Sequence, residues 1–303
     1  MSLSALVISF GSIGKKHAEV LSEMKEISSV SVLTSQNIDE YLTIRSFSEI
    51  SKLNPDYIII ASSTSLHYEQ LIYLEKKFNN KIILVEKPLF EKKYDFIPRK
   101  NKVWVGYLLK CHPVIQKVKE LILNRNIYNI NIICGSYLPD WRPNRNYKET
   151  TSANKYLGGG VLLDLSHELN YTELLFGKVS LDYVYNDKIS NLEINSDDIL
   201  LVNAHTKNGA RLQISLSYFS IKASREIKIE GEDFFIKADL INNTINTIID
   251  GQEKNLQLAN NFPSKIFKDE HRAIIQDDSI NGCTFSEGIK TLDLIEKIRM
   301  WPN

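Results

Sequence analysis

In the first hundred or so residues, short apolar runs alternate with stretches of helical spacing. Ala5–Phe10, Val30–Leu33, Tyr57–Ala61, Lys81–Glu86 and Lys102–Leu108 read as strands, with Leu42–Arg45 as a short further one; Ile13–Met24 and His67–Phe78 read as helices. Tyr57–Ala61 is apolar at every position after the Asn54-Pro55-Asp56 turn, the pattern of a strand buried on both faces. Strands that alternate with helices in this way require crossover connections, and so a doubly wound parallel sheet.

The rhythm changes after Cys111-His112-Pro113. Val114–Asn124 has helical spacing, Ile127–Tyr137 reads as a strand, and a polar loop runs from Leu138 to Lys155 before a helix that starts after Gly158-Gly159-Gly160. From Val179 to Ile249 strand follows strand, with turn signals at Asn208-Gly209, Gly231-Glu232-Asp233 and Asn242-Asn243, which predicts a mostly antiparallel sheet with one open face. Ser286–Met300 returns to helical spacing. The expected architecture is α/β: a dinucleotide-binding domain over 1–109 and a second α/β domain over 110–303, with the helix over 286–300 able to pack back on the first.

A chain of 303 residues is long enough for two domains. Its 37 basic residues balance 37 acidic ones, so there is no net field to attract nucleic acid or an anionic membrane, and an anionic ligand must be held by local groups. Cys111, Cys134 and Cys283 are odd in number and widely spaced, which argues against a disulfide framework or a structural zinc site and fits a reducing, cytoplasmic setting. No apolar run reaches the length of a membrane span. No set of residues is expected to ligate a metal.

Ile82–Leu89 reads I-I-L-V-E-K-P-L, a strand that runs into a Glu-Lys-Pro turn. Pro88 biases Lys87 away from the helical region, which puts one ammonium group at the carboxyl edge of the sheet, where ligands of open α/β folds bind. Lys87 is either a solvated turn residue or the reactive group of a site. Ser9-Phe10-Gly11-Ser12-Ile13-Gly14 lies between the first strand and helix and is G-x-G-x-x-G with serine in the first place. Gly11 would let a pyrophosphate approach the backbone, and Gly14 would let the helix pack close to the strand. Where the second strand ends, a carboxylate would hold the ribose of NAD; Thr34-Ser35-Gln36 stands there instead, with no arginine in sight, so NAD and NADP both stay open. Hydroxyls of Ser62, Ser63 and Thr64 could line the cofactor, while Thr64 or Ser65 could equally cap the helix that His67 begins.

Gly158–Glu168 reads G-G-G-V-L-L-D-L-S-H-E. On a helix, Asp164, His167 and Glu168 share one face, and an imidazole beside a carboxylate is a proton carrier near neutral pH. A buried, hydrogen-bonded Asp/His pair is the bland alternative. The loop from Tyr137 carries Trp141, Arg142 and Arg145, groups suited to packing on a sugar or base and to gripping an anion, although incidental surface charge explains them as well. His17, His112, His205 and His271 show no partner pattern, and Asp197-Asp198 could cap a turn.

Taken together, the glycine turn, Ser63–His67, Glu86-Lys87-Pro88, Val105-Gly106-Tyr107 and the glycine triplet with Asp164 and His167 resemble the Gfo/Idh/MocA family of oxidoreductases, and the resemblance spans almost the whole chain. It implies a Rossmann domain that binds NAD or NADP through Phe10, Gly11, Ser12, Ile13, Gly14, Ser35, Ser62, Ser63, Thr64, His67, Glu86 and Lys87. It also implies an open sheet that often forms a dimer interface, with catalytic roles for Lys87, Asp164 and His167. The family spacing D-x-x-x-H is not kept, because Glu168 occupies the fourth place, so the proton carrier is His167 or Glu168. Trp141, Arg142, Arg145 and Tyr107 are the substrate-binding candidates. The expected activity is hydride transfer between a nicotinamide and a secondary alcohol or ketone of a sugar or nucleotide-sugar, in a soluble cytoplasmic homo-oligomer. A glycosidase that uses bound NAD for transient oxidation, and a non-catalytic NAD(P)-binding regulator, are the alternatives.

Overall fold

The structure is a computed structural model that describes residues 2–259 and 263–302. Its internal contacts form two units, one of residues 2–111 and 263–292 and the other of residues 112–259 and 293–302.

In the first unit, β1 (Leu3–Ile8) is followed by α1 (Ser12–Ser22), β2 (Ile27–Leu33), β3 (Leu42–Ile44), α2 (Ile50–Leu53), β4 (Tyr57–Ile60), α3 (Thr64–Lys77), β5 (Ile82–Val85) and β6 (Lys102–Val105). The second unit holds α4 (Pro113–Leu121), β7 (Ile127–Tyr137), α5 (Val161–Asp164), α6 (His167–Phe176), β8 (Val179–Asp187), β9 (Ile199–Thr206), β10 (Arg211–Ser217), β11 (Phe219–Gly231), β12 (Phe234–Asp239), β13 (Thr244–Ile249) and β14 (Gln252–Gln257). The chain then adds α7 (Pro263–Ile275), β15 (Cys283–Thr284) and α8 (Phe285–Arg299), of which residues up to Leu292 belong to the first unit.

The first sheet has the order β15-β6-β5-β4-β1-β2-β3, parallel throughout except for the short β15 at its edge. Strand period sends alternate residues to opposite faces. Leu6, Ile8, Ile58, Ile60, Ile83 and Val85 pack under Leu71 and Leu74 of α3 and Leu292 of α8. Ala5, Val7, Tyr57, Ile59 and Leu84 pack under Ala18 and Leu21 of α1 and Phe267 and Ile274 of α7. Burying each of these large aliphatic side chains contributes about 1.5–3 kcal/mol. Strand order reverses between β1 and β4, which leaves the crevice outside their carboxyl ends as the natural ligand position.

Residues 263–292 are held on this first unit by a buried lysine. Lys110 Nζ donates to the carbonyls of Ser279 (2.9 Å) and Gly282 (2.9 Å) and to both oxygens of Glu287 (2.8 and 3.0 Å).

The second sheet has the order β14-β13-β12-β11-β7-β10-β9-β8, antiparallel apart from the β7–β10 pair. α4 packs against β12 and α6, and α5 against β9 and β10. The opposite face is open and exposes Ile133, Leu201 and Ile248. β14 extends the sheet beyond the run expected to end at Ile249; Q-E-K-N-L-Q is exposed at all but one position and so lacks the alternation that marks a half-buried strand. No helix among the described residues is long and apolar enough to cross a membrane.

Candidate functional site

The glycine turn sits at the carboxyl end of β1, one strand from the switch point's other wall. Ser9 adopts φ 80°, a left-handed conformation that suits glycine better, and so fills the place of the missing first glycine at some local cost. A Cβ on Gly14 would lie 2.2 Å from the Ser9 carbonyl oxygen, so only glycine lets α1 come this close to the turn. A Cβ on Gly11 would meet nothing within 4 Å; the space before the turn is open. Gly11 caps α1 without a side-chain hydrogen bond, and the first turn contains no acidic residue, so the N–H groups of Ser12, Ile13 and Gly14 and the positive end of the helix suit an anion. These features fit the pyrophosphate of a dinucleotide, which Gly11, Ser12, Ile13 and Gly14 would hold through the main chain. The Phe10 ring is buried against Tyr41, so Phe10 offers main chain only.

Two strands away on the same edge, β5 ends in the Glu-Lys-Pro turn, whose Lys87–Pro88 peptide is cis. Lys87 is half-buried. Glu86 turns inward: Oε2 accepts from Lys87 N at 3.1 Å and Oε1 lies 2.9 Å from His17 Nε2 on α1. His17 Nδ1 is 3.0 Å from His271 Nε2, and His271 Nδ1 is 2.8 Å from the Tyr57 hydroxyl. Burial holds the His271 imidazole neutral, with its pKa well below the ordinary range, and keeps the Tyr57 phenol protonated. One set of tautomers satisfies every polar atom along the chain: Tyr57 donates to His271, His271 to His17 and His17 to Glu86. Glu270 stands beside it, 1% exposed; neither of its oxygens has a hydrogen-bond partner among the described residues. Burial, and then the charge of Glu86, raise its pKa well above the carboxylate range. Sequence reading places none of this, because His17, Glu86, His271 and Tyr57 come from four separate elements. Gly106 belongs to the same feature: a Cβ there would lie 2.8 Å from Glu86 Oε1.

The Ser62–His67 segment braces this turn. α3 starts at Thr64 with Ser63 in the cap position and no side-chain cap bond, so the expectation that Thr64 or Ser65 caps a helix starting at His67 is corrected; both lie inside its first turn. His67 is buried, with Nδ1 at 3.1 Å from the Pro88 carbonyl and Nε2 at 3.1 Å from that of Ser62. Burial lowers its pKa, and a neutral imidazole donates to only one of these. Ser62 Oγ donates to Gln70 at 2.7 Å, and Ser35 and Ser63 are exposed. The Tyr107 ring, a substrate-binding candidate by sequence, is 2% exposed within the apolar cluster of the first sheet.

In the second unit the glycine triplet leads into α5. Gly160 has φ +115°, and a Cβ there would lie 2.1 Å from Asp197 Oδ1. Asp197 caps α5: its carbonyl accepts from Val161 N at 3.0 Å and its carboxylate from Leu162 N at 2.9 Å. Burial raises the Asp197 pKa to about 6. Asp198 accepts from Ile189 N and from the Ser190 N–H and hydroxyl. The pair serves turns, and among the described residues no group of three or more His, Cys, Asp or Glu is arranged to hold a metal.

The single helical face expected for Asp164, His167 and Glu168 is interrupted. Asp164 ends α5 and His167 begins α6, with Leu165-Ser166 between them. Asp164 Oδ2 accepts from the Tyr218 hydroxyl at 2.6 Å, and the Trp141 ring meets Tyr218 edge-on at 5.2 Å. The base of the polar loop is thereby brought to Asp164 through Tyr218, which sequence reading missed. Arg142 and Arg145 are exposed on that loop. His167 is 9% exposed. Glu168 is fully buried and grips Arg225 of β11, with Nε–Oε1 at 2.6 Å and Nη2–Oε2 at 3.1 Å. A carboxylate held by both oxygens in this way is a structural ion-pair partner.

Residues 3–96 match the family model described as oxidoreductase family, NAD-binding Rossmann fold, and residues 119–299 match that of the oxidoreductase family C-terminal alpha/beta domain. Among solved structures, a levoglucosan dehydrogenase in complex with NADH has a TM-score of 0.83 at 16% identity over 99% of this chain and 96% of its own. UDP-N-acetylglucosamine 3-dehydrogenase GnnA from Acidithiobacillus ferrooxidans has 0.78 at 16%, covering 99% and 97%. The WlbA dehydrogenase from Bordetella pertussis, in complex with NADH and UDP-GlcNAcA, has 0.77 at 15%, covering 98% and 94%. At such identities the likeness is one of fold. No curated protein matches.

Proposed function

The chain belongs to the Gfo/Idh/MocA oxidoreductase family and carries its NAD-binding Rossmann domain, and on that premise we propose that it is a dehydrogenase or reductase acting on a secondary alcohol or ketone of a sugar or nucleotide-sugar. A bound nicotinamide dinucleotide supplies the hydride acceptor or donor. Lys87 donates a hydrogen bond to the reacting oxygen and stabilises the negative charge that develops there. His167 carries the proton, and Asp164, fixed by Tyr218, orients substrate or imidazole. Trp141, Arg142 and Arg145 grip an anionic part of the substrate.

The observation that carries the reading is the Glu86–His17 bond, which ties the residue next to Lys87 to the helix whose first turn offers the anion site. Support for the substrate class comes from neighbours of like fold named for levoglucosan and UDP-N-acetylglucosamine. The open face of the second sheet, with Ile133, Leu201 and Ile248, is the surface through which two copies would pair.

The test is a panel of nucleotide-sugars and free sugars, headed by those two compounds, assayed with both dinucleotides by the absorbance of the reduced nicotinamide. Turnover of at least one compound is expected, and it should collapse in Lys87→Met. Dinucleotide binding without turnover on any compound would point to a regulatory binder instead.

A further inference from the structure

The loop after β2 lacks the carboxylate that a dinucleotide fold places at the ribose of NAD: Thr34 is buried, and Ser35 and Gln36 are exposed. Gln36 Nε2 donates to the Phe10 carbonyl at 3.2 Å, which pins this loop to the glycine turn. An arginine stands beside it after all. Arg45, the residue after β3, donates from Nη1 to the carbonyls of Thr34 (2.8 Å) and Gln36 (2.5 Å) and from Nη2 to Asn37 Oδ1 (3.0 Å). It lies 11 residues from Thr34 in sequence and is delivered by the parallel pairing of β2 with β3.

Three features make this guanidinium a reader and not a brace alone. All its acceptors are neutral, so among the described residues no carboxylate is ion-paired with its charge. Glu49 accepts from Arg45 N (3.1 Å) and the Ser46 hydroxyl (2.7 Å), both through Oε1, and forms no ion pair with the Arg45 guanidinium. Arginine has five N–H donors, and three are used; the Nε–H and one Nη2–H remain. The group is exposed, so its carbonyl contacts fix its position without covering it. A fixed, solvent-facing guanidinium with donors left over suits a phosphate dianion.

We propose that Arg45 binds the 2′-phosphate of NADP(H), and that this chain prefers NADP(H) to NAD(H). The proposal rests on the dinucleotide reading of the glycine turn. It is tested by fluorescence titration of the purified chain with NADPH and NADH, without substrate, and by thermal shift with adenosine 2′,5′-bisphosphate against AMP. NADPH is expected to bind about tenfold or more tighter than NADH, the size of one charge-assisted contact. Arg45→Ala should remove that ratio and the bisphosphate's advantage over AMP, while Arg45→Lys keeps part of it. Ser35→Asp, on the exposed loop, should invert the ratio in favour of NADH. Equal or tighter NADH binding by the unaltered chain, or a ratio unmoved by Arg45→Ala, overturns the assignment and leaves the glycine-turn reading standing. Failure of both dinucleotides to bind overturns the two together.

Discussion

His17 Nε2 donates to Glu86 Oε1 across 2.9 Å, so the helix that follows the glycine turn is bonded to the residue before Lys87. Both partners are buried, and the bond continues through His271 to Tyr57. Deleting the imidazole leaves two polar ends in an apolar layer, each costing about 1–3 kcal/mol. His17→Leu is therefore expected to lower stability by about 2–6 kcal/mol in urea unfolding and to weaken dinucleotide binding, and His17→Gln to restore part of both. Unchanged stability in His17→Leu would show that the chain of bonds bears nothing.

Lys87→Met keeps length and apolar bulk while removing the ammonium. If Lys87 donates to the developing oxyanion, turnover should fall roughly 100-fold or more, with a much smaller change in dinucleotide affinity. Single-turnover kinetics with a substrate found in the panel separates the two. Equal losses in both would recast Lys87 as a cofactor contact.

Gly106→Ala would press a methyl to 2.8 Å from Glu86 Oε1, and Gly14→Ala would press one to 2.2 Å from the Ser9 carbonyl. A buried side chain can give slightly, whereas backbone at 2.2 Å cannot. Gly14→Ala should thus abolish dinucleotide binding, and Gly106→Ala should reduce it. Calorimetric titration of both variants checks the order.

The doubly wound sheet was legible because strands buried on both faces, such as Tyr57–Ile60, are apolar at every position. The glycine turn and the Glu-Lys-Pro edge were legible because each is a contiguous string. What stayed hidden is built from remote partners. Arg45 reaches Thr34 by strand pairing, Tyr218 reaches Asp164 from 54 residues away, and Arg225 reaches Glu168 from 57. Residues 263–292 join the first unit through the buried Lys110–Glu287 contact, which has no local signature. Leu165-Ser166 interrupts a pattern that periodicity alone reads as continuous.

Glu168 and Arg225 form a buried bidentate pair. Removing one partner strands the other charge, so Arg225→Met should cost about 3–5 kcal/mol, whereas the double variant Glu168→Met/Arg225→Met should recover most of the loss. Denaturant midpoints for the two singles and the double close the cycle. Full additivity would mean that the two side chains act separately.

His112 is 5% exposed and accepts from Val114 N at the start of α4 through Nδ1. Burial, with the Arg225 charge adding to it, lowers its pKa from 6.5 to about 4. Between those values the unfolded chain binds a proton that the folded chain refuses, so stability is full above pH 6.5 and falls as pH drops towards 4. The loss from this group amounts to about 3 kcal/mol at most. His67 and His271, also lowered by burial, act in the same direction. Asp197 opposes them: its pKa is raised from 3.8 to about 6, so the folded chain binds the extra proton and its contribution grows as pH falls through that window. His112→Asn, which keeps a capping acceptor, should flatten the loss of stability between pH 6.5 and 4. Asp197→Asn should steepen it. Urea unfolding across that range measures both slopes, and a His112→Asn profile parallel to that of the unaltered chain would show that this imidazole is protonated in the folded state.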